Sequence, residues 1–390
     1  MQVVFFDDAG RTGLLPLTYT RPACELRTGI LTISETWTKK GASIAGYITE
    51  PYLSIKYPKA AEGTYFHVNG RLFPDDVVCE AISRLGQNEA LIQGDTVLAW
   101  NGALQTCTEL PSSCHSINYE GAILIERCSD LFSRNDEFIQ SQFGMLTAGR
   151  NSAPLHSSVT IIGDPSLVFA EHGARALACT LNTESGPIYL GVDSEIMEGS
   201  NIRGPFALCE HAGIKMGAKV YGATTIGPHC KAGGEIGNSV MLGFSNKGHD
   251  GYMGNSVLGE WCNLGADTNT SNLKNNYSIV KTWNYASHRL ESSGLTFVGL
   301  TMGDHSKCAI NTQFNTGTTV GCCANIFGGD FPPKFIPSFS WGGAAGFVTF
   351  DLQKAYEVAE RVMMRRKVEF TEAEALILKH IFEYSAQFRE

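Results

Sequence analysis

The chain has no run of basic residues, and its formal net charge is -9. A surface of this charge argues against nucleic acid as a partner. The first residues, MQVVFFDDAG, carry no basic segment, and two aspartates end the apolar stretch after four residues. They therefore predict neither a signal peptide nor a membrane span. We expect no nucleic acid and no membrane among the partners.

The cysteines also lack a pattern. Twelve are spread along the 390 residues without the spacing of metal ligands, and Cys322 and Cys323 are adjacent. This distribution predicts free, buried thiols in a reducing cytoplasm. A content of 43% hydrophobic and 18% charged residues is typical of a globular protein with a large core. The length leaves room for two or three domains.

An apolar residue recurs at every sixth position in the middle of the chain. An α-helix would scatter such residues around its circumference, and a strand of period two would not single out every sixth position. The repeat predicts a parallel β-helix in which the recurring aliphatic residues form a stacked core. The unbroken series is Ile196, Ile202, Leu208, Ile214, Val220 and Ile226.

This repeat slips between Leu242 and Tyr252, which we interpret as four extra residues within Ser245–Gly251. A longer polar excursion runs from Asp267 to about Thr296. Loops that leave a rigid scaffold often carry function, so both segments are candidates for a grafted active site. The six-residue step is expected to resume with Val298, Asp304, Ile310, Thr316 and Cys322.

The regions before and after the repeat predict other structures. Residues 1–110 alternate between strands (QVVFFD, SIAGYI and TYFHVN) and a helix from Leu26 to Lys39, which indicates an α/β domain with a mostly parallel sheet. Residues 111–154 are expected to form a connecting region with helical content, and residues 155–330 the β-helix. Residues 331–390 predict a loop and two helices, Asp351–Arg366 and Glu372–Phe388.

The segment from Gly237 to Asn276 contains a specific set of polar and small residues. They are Asn238, Ser239, Ser245, Asn246, His249, Tyr252, Gly254, Gly259, Glu260, Asn263, Leu264, Gly265, Ala266, Thr268, Asn272 and Leu273. With these residues and their spacing over about forty positions, the segment resembles the acetyltransferase domain of bifunctional sugar-1-phosphate nucleotidylyltransferase/acetyltransferases, which make UDP-N-acetylglucosamine. The resemblance implies a left-handed β-helix, acetyl-CoA as the donor, an amino-sugar phosphate such as glucosamine-1-phosphate as the acceptor, and a homotrimer with coenzyme A between adjacent β-helices.

The resemblance implies that His249 is the general base and that Tyr252 and Asn272 position the substrate. Acyl transfer to an amine requires a neutral nitrogen, whereas a sugar ammonium is mostly protonated at pH 7. An imidazole, with an ordinary pKa of about 6.5, can accept that proton. A single loop histidine is also often a solvated surface group. Tyr252 is in phase with Leu258 and Leu264, so it also fits the wall of the core.

Further site residues are expected around this segment. The resemblance makes Lys281 a candidate for binding the phosphate or coenzyme A, and Lys247 and Lys274 are also candidates for binding the substrate or coenzyme A. The backbone amides of Gly265 and Ala266 are candidates for stabilising the oxyanion of the tetrahedral intermediate. The alternative is that these lysines are solvated surface groups and that the neighbouring asparagines, Asn272 included, only form turns.

The front domain resembles sugar nucleotidylyltransferases, which open with a buried strand, a GTRLRPLT loop and a Pro-Lys pair. This chain has RTGLLPLT at 11–18 and RPA at 21–23. The arginine and lysine that meet the nucleotide phosphates in that family align with Gly13 and Ala23, so two positive charges are missing. The nearby arginines that could replace them are Arg11, Arg21 and Arg27.

The magnesium site of that family also departs from its pattern here. Where the family has a strand that ends in Gly-Asp, this chain has Asn69, Gly70 and Arg71. Asp75 and Asp76 could restore a metal site, but an acidic pair after a proline also fits a helix start. In the β-helix, Tyr221 stands where the family has an arginine that grips the sugar phosphate.

Together these features predict an α/β nucleotidyltransferase-like domain, a left-handed parallel β-helix and C-terminal helices. The expected function is acetyl-CoA-dependent N-acetyltransfer to an amino-sugar phosphate in the synthesis of UDP-N-acetylglucosamine or a related nucleotide sugar. One alternative is a sugar-1-phosphate nucleotidylyltransferase with rearranged basic residues, which would need Mg²⁺. The other is a non-catalytic subunit that binds nucleotide sugars.

Overall fold

The computed structural model describes residues 1–104, 110 and 114–389, and its front part is a six-stranded mixed sheet. The strands of this part are β1 (Gln2–Phe6), β2 (Arg27–Thr28), β3 (Leu31–Thr32), β4 (Ser43–Ile48), β5 (Thr64–Asn69), β6 (Glu89–Gln93), β7 (Thr96–Ala103) and β8 (His115–Asn118). The strand order in the sheet is β4-β1-β5-β7-β6-β8; β1 runs parallel to β4 and β5, and β7 runs antiparallel to β5 and β6. The strands predicted at β1, β4 and β5 are confirmed.

The described residues contain six α-helices, four before the solenoid in the chain and two after it. They are α1 (Ile33–Lys39), α2 (Asp76–Ser83), α3 (Asp130–Ser133), α4 (Asn135–Thr147), α5 (Leu352–Met364) and α6 (Glu372–Tyr384). The two C-terminal helices are confirmed, with Asp351 and Thr371 as their N-caps. The predicted start of the connecting region at residue 111 lies outside the described residues.

The prediction of one helix over Leu26–Lys39 is wrong. β2 and β3 form a short antiparallel hairpin first, and its turn contains Gly29 in the left-handed region with φ +80. Helix α1 begins only at Ile33, because Thr32 and Glu35 form a capping box. The Thr32 hydroxyl accepts from the Glu35 amide at 3.1 Å, and the Glu35 carboxylate accepts from the Thr32 amide at 2.7 Å.

The middle of the chain is a parallel β-solenoid with three faces, so the predicted fold class is confirmed. The first face has the strands Val168–Ala170, Ile188–Leu190, Phe206–Leu208, Thr224–Ile226, Val240–Gly243, Val257–Glu260, Leu300–Met302, Thr318–Val320 and Phe335–Ile336. The second face has Arg175–Ala176, Glu195–Ile196, Gly213–Ile214, Lys231–Ala232, Asn246–Lys247, Asn263–Leu264, Lys307–Cys308, Asn325–Ile326, Ser340–Gly343 and Gly346–Thr349. The third face has Thr160–Ile162, Thr180–Asn182, Asn201–Arg203, Lys219–Tyr221, Glu235–Gly237, Tyr252–Gly254, Asn269–Thr270 and Gln313–Phe314.

The six-residue series forms the solenoid core, as predicted. All six residues from Ile196 to Ile226 are buried in one apolar cluster together with Ile236, Leu258 and Leu264. Leu208 pairs with Ile226, one full coil further along the chain. A coil therefore contains three six-residue units, each of which contributes one inward side chain.

The interpretation of Ser245–Gly251 as an insertion is wrong. Val220 pairs with Ile236, and Ile236 pairs with Met253, so the coils here are shorter than the preceding ones rather than longer. The inward residues are Met241 and Met253, each one position away from the predicted Leu242 and Tyr252. Because side chains alternate along a strand, a shift of one residue reverses which face is buried.

A lysine occupies an inward position in this region. Lys247 is paired with Ala232 on the second face and has a relative exposure of 1%. It therefore stands in the inward series between Met241 and Met253, whereas the sequence interpretation assigned it to the extra residues Ser245–Gly251. The segment follows the coil, and only the corner around His249 projects from it.

The second predicted excursion does leave the solenoid. After the strand Asn269–Thr270 the chain forms the antiparallel hairpin of Lys281–Asn284 and Arg289–Ser292 and returns at Leu300–Met302. The predicted phase of the repeat beyond this excursion is wrong, because the inward series begins at Met302 instead of Val298. That series is Met302, Cys308, Phe314, Val320 and Ile326, whereas Val298 packs in the front-domain core, Ile310 is exposed and Asp304 is buried in an ion pair.

Three packing contacts hold the front domain and the C-terminal helices to the solenoid. Val240 and Val257 of the first face belong to the front-domain core, and Asn135 of α4 donates to the Ala223 carbonyl at 2.9 Å. Helices α5 and α6 share a core with Tyr19 and Phe339. Among the described residues no helix is long and apolar enough to cross a membrane. The eleven described cysteines are unpaired, as predicted, and Cys107 lies outside the described residues.

Candidate active site

The candidate base lies at a corner of the solenoid. His249 follows the second-face strand Asn246–Lys247 and precedes the third-face strand Tyr252–Gly254. Its side chain is exposed and lines a groove with a cavity volume of about 660 Å³. A cavity of this size suits a small-molecule ligand.

Interior contacts fix the corner that carries His249. The Lys247 ammonium donates to the carbonyl oxygens of His249 at 2.6 Å and Asp250 at 3.1 Å. Burial lowers the pKa of Lys247 to about 8. Beneath the corner, a Cβ on Gly234 would lie 2.8 Å from the carbonyl oxygens of His249 and Gly251. Lys247 was predicted to bind a ligand, but its ammonium already donates to the backbone of this loop.

The groove around His249 is strongly cationic. None of the described residues that line it is acidic. Burial and the nearby positive charges of Arg366, Lys215 and Arg365 lower the pKa of Lys231. Such a concentration of one sign of charge favours an anionic ligand. The cations that line the groove are Lys215, Lys231, Lys307, Arg365 and Arg366.

These five cations were not predicted from the sequence. Two of them, Lys231 and Lys307, belong to a stack on the second face, in which Lys231 pairs with Asn246, Asn246 with Asn263, and Asn263 with Lys307. The sequence contains a signal for this stack, because each of its four residues directly precedes an inward residue of the repeat. The arginines give no such signal, since their position depends on how α5 docks.

Tyr252 and Asn272 are brought together on the third face. The Asn272 amide donates to the Tyr252 hydroxyl at 3.0 Å and to the Asn255 side chain at 2.7 Å. The Tyr252 ring covers Gly254, where a Cβ would lie 2.1 Å from the hydroxyl oxygen. Neither residue lines the groove that contains His249. The tyrosine faces outward and is not a core wall residue.

Tyr221 lies on the same face two coils earlier, in register with Gly237 and Gly254. Its hydroxyl donates to the Glu235 carboxylate at 2.6 Å, and its ring covers Gly237 at 3.0 Å from the position of a Cβ. Tyr221 is exposed on the third face and carries no positive charge. This position therefore offers no positive charge to a phosphate group.

The remaining predicted residues of the solenoid differ in their availability. Gly265 and Ala266 line the groove, but the Gly265 amide already donates to the Cys308 carbonyl at 3.1 Å. Lys274 donates to the Ile279 carbonyl at 2.7 Å and stabilises its own excursion. Lys281 is exposed on the hairpin and does not line the groove.

Two of the front-domain arginines bind the solenoid. Arg21 is buried and forms ion pairs with Asp304 and with Glu260, the latter at 3.1 Å. Burial acts to lower the pKa of Arg21, but these two carboxylates raise it above its ordinary value. Arg27 is buried and donates to the Leu242 carbonyl at 3.2 Å. These arginines hold two domains together.

Arg11 and the residues of the predicted metal region also form ion pairs within the front domain. Arg11 forms an ion pair with Asp7 at 3.4 Å and donates to the Tyr52 hydroxyl at 3.1 Å. At the carboxyl end of β1, Asp8 binds Arg71 at 2.6 Å. A guanidinium beside this carboxylate does not fit a magnesium ion at the same place, because the two positive charges would repel each other.

Asp75 and Asp76 behave as residues of a helix start. The Asp75 carboxylate accepts from the Val78 amide at 2.8 Å and caps α2. Asp76 lies in the first turn and forms an ion pair with Lys40. Within residues 1–104, 110 and 114–389, no group of three or more His, Cys, Asp or Glu side chains could hold a metal ion.

Comparisons with known proteins extend this description. Residues 3–151 match the family model described as "Sugar nucleotidyl transferase". The chain is 37% identical over 87 residues to the "Bifunctional protein GlmU" of Methanocaldococcus jannaschii, which is 22% of this chain and 21% of that protein. It is 35% identical over 95 residues to the "Bifunctional sugar-1-phosphate nucleotidylyltransferase/acetyltransferase" of Sulfurisphaera tokodaii, 24% of this chain and 23% of that protein.

Among solved structures, an Arabidopsis UDP-N-acetylglucosamine acyltransferase aligns with a TM-score of 0.19 and 13% identity, over 61% of this chain and 99% of that chain. The chain spans about a fifth to a quarter of the length of the curated relatives that it matches. Their complete activities are therefore not transferred by these matches alone.

Proposed function

We propose, from the premise that this chain is a relative of the bifunctional sugar-1-phosphate nucleotidylyltransferase/acetyltransferases, that it is an acetyl-CoA-dependent N-acetyltransferase. The proposed acceptor is an amino-sugar phosphate, with glucosamine-1-phosphate as the first candidate. The observation that carries the proposal is the position of His249, an exposed imidazole in a groove lined by cations. Both the donor and the acceptor of this reaction are phosphorylated.

In the proposed reaction, the nitrogen of the sugar amine attacks the thioester carbonyl carbon, and His249 removes a proton from that nitrogen. A carbon–nitrogen bond forms, and the carbonyl oxygen of the intermediate carries negative charge. The carbon–sulfur bond then breaks with its electron pair on sulfur, and the proton on His249 passes to the leaving thiolate. The cations of the groove favour both the phosphates and the developing oxyanion.

We place the acceptor sugar over the corner between the second and third faces. Only Asp250 and Gly251 separate His249 from Tyr252 along the chain. A sugar whose amino group meets His249 can extend its hydroxyls toward the Tyr252 and Asn272 pair. Lys281, on the hairpin that follows this corner in the chain, is our candidate for binding the phosphate of the sugar.

We also propose that the chain assembles as a homotrimer through its β-solenoid, as the family resemblance implies. Met216 and Ile310 support this arrangement, because both are large apolar residues of the solenoid that are exposed, at 68% and 65%. Ile310 lines the groove, and Met216 directly follows the groove residue Lys215. Light scattering on the purified protein tests it directly. A monomer at micromolar concentration would contradict the proposed assembly.

Nucleotidyl transfer by the front domain is the second candidate function. The match of residues 3–151 to sugar nucleotidyl transferases favours it. The contacts of Arg21 with Asp304 and of Asp8 with Arg71 argue against it, because they use the charges that would bind the triphosphate and the metal. A front domain that only binds nucleotide sugars and supports the solenoid is consistent with the same contacts.

Two assays separate these functions. The purified protein is incubated with acetyl-CoA and glucosamine-1-phosphate, thiol release is followed with a chromogenic disulfide, and the product is identified by mass spectrometry. A second reaction contains a nucleoside triphosphate, Mg²⁺ and N-acetylglucosamine-1-phosphate, and pyrophosphate release is measured. We expect product in the first assay. Absence of thiol release across a panel of amino-sugar phosphates refutes the acetyltransferase, and pyrophosphate release alone supports the second candidate.

A further inference from the structure

Helix α5 connects the C-terminal part of the chain to the groove. Its 13 residues span about 20 Å. Ala355, Ala359 and Met363 are its buried side chains, and Ala355 and Ala359 face a small cavity that His305 and Cys323 of the solenoid also line. This packing fixes the helix so that its last residues lie at the groove that contains His249.

Two arginines follow directly after the last turn of α5. Arg365 and Arg366 both line the groove. The Arg366 guanidinium donates to the Asn246 side chain of the second face at 3.2 Å, which ties the end of the helix to the solenoid. In the described part of the chain neither arginine forms an ion pair with a carboxylate. Arg361, one turn earlier, is bound to Glu357 at 3.2 Å on the exposed side of the helix.

The C-terminal end of a helix attracts positive charge by itself, with a stabilisation of about 0.3–1 kcal/mol. This effect explains why a single arginine is favourable there. It does not explain why the helix directs two arginines toward three lysines of the solenoid.

One of those lysines has no carboxylate partner among the described residues. Lys307 is half-buried, and its ammonium donates to the His305 carbonyl at 2.8 Å. Desolvation lowers its pKa. Holding such charges together costs free energy unless an anion binds between them.

We infer that Arg365 and Arg366 form a phosphate clamp for the nucleotide part of coenzyme A, so that the C-terminal helix completes the donor site of its own chain. This inference rests on the proposed acetyltransferase function. Coenzyme A carries a pyrophosphate and a 3′-phosphate, and the planar fork of a guanidinium binds two phosphate oxygens at once. A nucleoside diphosphate sugar shares the pyrophosphate. We assign the clamp to coenzyme A because the thioester must reach His249 in the same groove.

The test uses the full-length protein with both arginines replaced, Arg365→Gln with Arg366→Gln. Arg361→Gln serves as the matched control, because it removes one charge from the same helix outside the groove. Calorimetry gives the Kd for coenzyme A and for UDP-N-acetylglucosamine in each protein. Steady-state rates are measured with acetyl-CoA and with S-acetylpantetheine, a thioester donor that lacks phosphates.

We expect the double variant to weaken coenzyme A binding by at least about 10-fold. Its KM for acetyl-CoA should rise with little change in kcat, whereas its rate with S-acetylpantetheine should equal that of the wild type. Its Kd should also depend less on salt, since fewer charges are screened. Arg361→Gln should behave as the wild type in every measurement.

Equal coenzyme A affinity in the double variant and the wild type overturns the clamp while the acetyltransferase stands. A loss of affinity for UDP-N-acetylglucosamine alone overturns the assignment to the donor. If the wild type binds coenzyme A through the arginines but transfers no acetyl group, the clamp stands and the acetyltransferase fails. A wild type that does not bind coenzyme A contradicts both.

Discussion

Replacing Lys247 with methionine is expected to raise stability and lower turnover in the same variant. The pKa of Lys247 is lowered from 10.5 to about 8 by burial. One pKa unit corresponds to about 1.4 kcal/mol, so keeping this ammonium charged inside the solenoid costs up to about 3 kcal/mol. Methionine has a similar length and no charge. It leaves two loop carbonyls without their donor, at about 1 kcal/mol each.

The net expectation is a gain of about 1 kcal/mol in the free energy of unfolding at pH 7. In the wild type the folded chain loses the proton near pH 8 and the unfolded chain near 10.5, so stability should rise with pH through this window. The methionine variant should lack that rise. Urea unfolding from pH 7 to 10.5 measures both, with the exposed Lys219→Met as control.

The same substitution should reduce activity, because the lysine fixes the carbonyls of His249 and Asp250. We expect kcat to fall about 10- to 100-fold through misplacement of the imidazole, with the affinity for coenzyme A unchanged. An unchanged kcat would show that the interior lysine does not position the base. A loss of stability above 1 kcal/mol, with no change in the pH profile, would refute the desolvation reasoning.

Two further predictions concern the front domain. Asp304→Ala should lower the free energy of unfolding by about 3 kcal/mol, because Arg21 loses its main counter-charge and keeps only Glu260; urea unfolding measures it, and a change below 0.5 kcal/mol would contradict the buried pair. His67, stacked on Trp100, has its pKa lowered from 6.5 to about 4 by burial, so the unfolded chain binds more protons and stability should fall by up to about 3 kcal/mol from pH 6.5 to 4. His67→Phe should remove this acid sensitivity; an identical acid transition in the two proteins would contradict it.

The solenoid was predictable because its core repeats. Six inward residues in unbroken steps, from Ile196 to Ile226, identify the fold before any contact is known. The coil lengths were not predictable to the same degree. A loss of two residues produces the same phase, in a six-residue repeat, as an insertion of four residues. The pairings of Ile236 with Met253 and of Met241 with Leu258, each 17 residues apart, were needed to distinguish the two.

The inward position of Lys247 was also not predicted from the sequence. Lys247 interrupts the apolar series at a position that a sequence pattern assigns to the surface, and its ammonium donates to two carbonyl groups of the following corner. No spacing rule indicates that a charged residue is inward. The histidine beside it was identified by resemblance, and its place in the groove depends on this buried contact.

The predicted roles of the arginines depended on what they face in three dimensions. Arg11, Arg21 and Arg27 occur in the segment where a nucleotide loop is expected, so a nucleotide role was reasonable from the sequence. Arg11 pairs with the nearby Asp7, whereas the partners of the other two are far away in the chain: Arg21 binds Asp304, and Arg27 binds the Leu242 carbonyl. The same limit applies to Arg365 and Arg366, whose function can be argued only after α5 is docked.

We propose that His249 removes a proton from an amino-sugar phosphate during acetyl transfer. The single-turnover rate of coenzyme A release from acetyl-CoA and glucosamine-1-phosphate, in the wild type and in His249→Ala, tests this role of the imidazole. We predict a rate about 10²- to 10⁴-fold lower in the variant at equal coenzyme A affinity. Equal rates in the two proteins would exclude His249 as the general base.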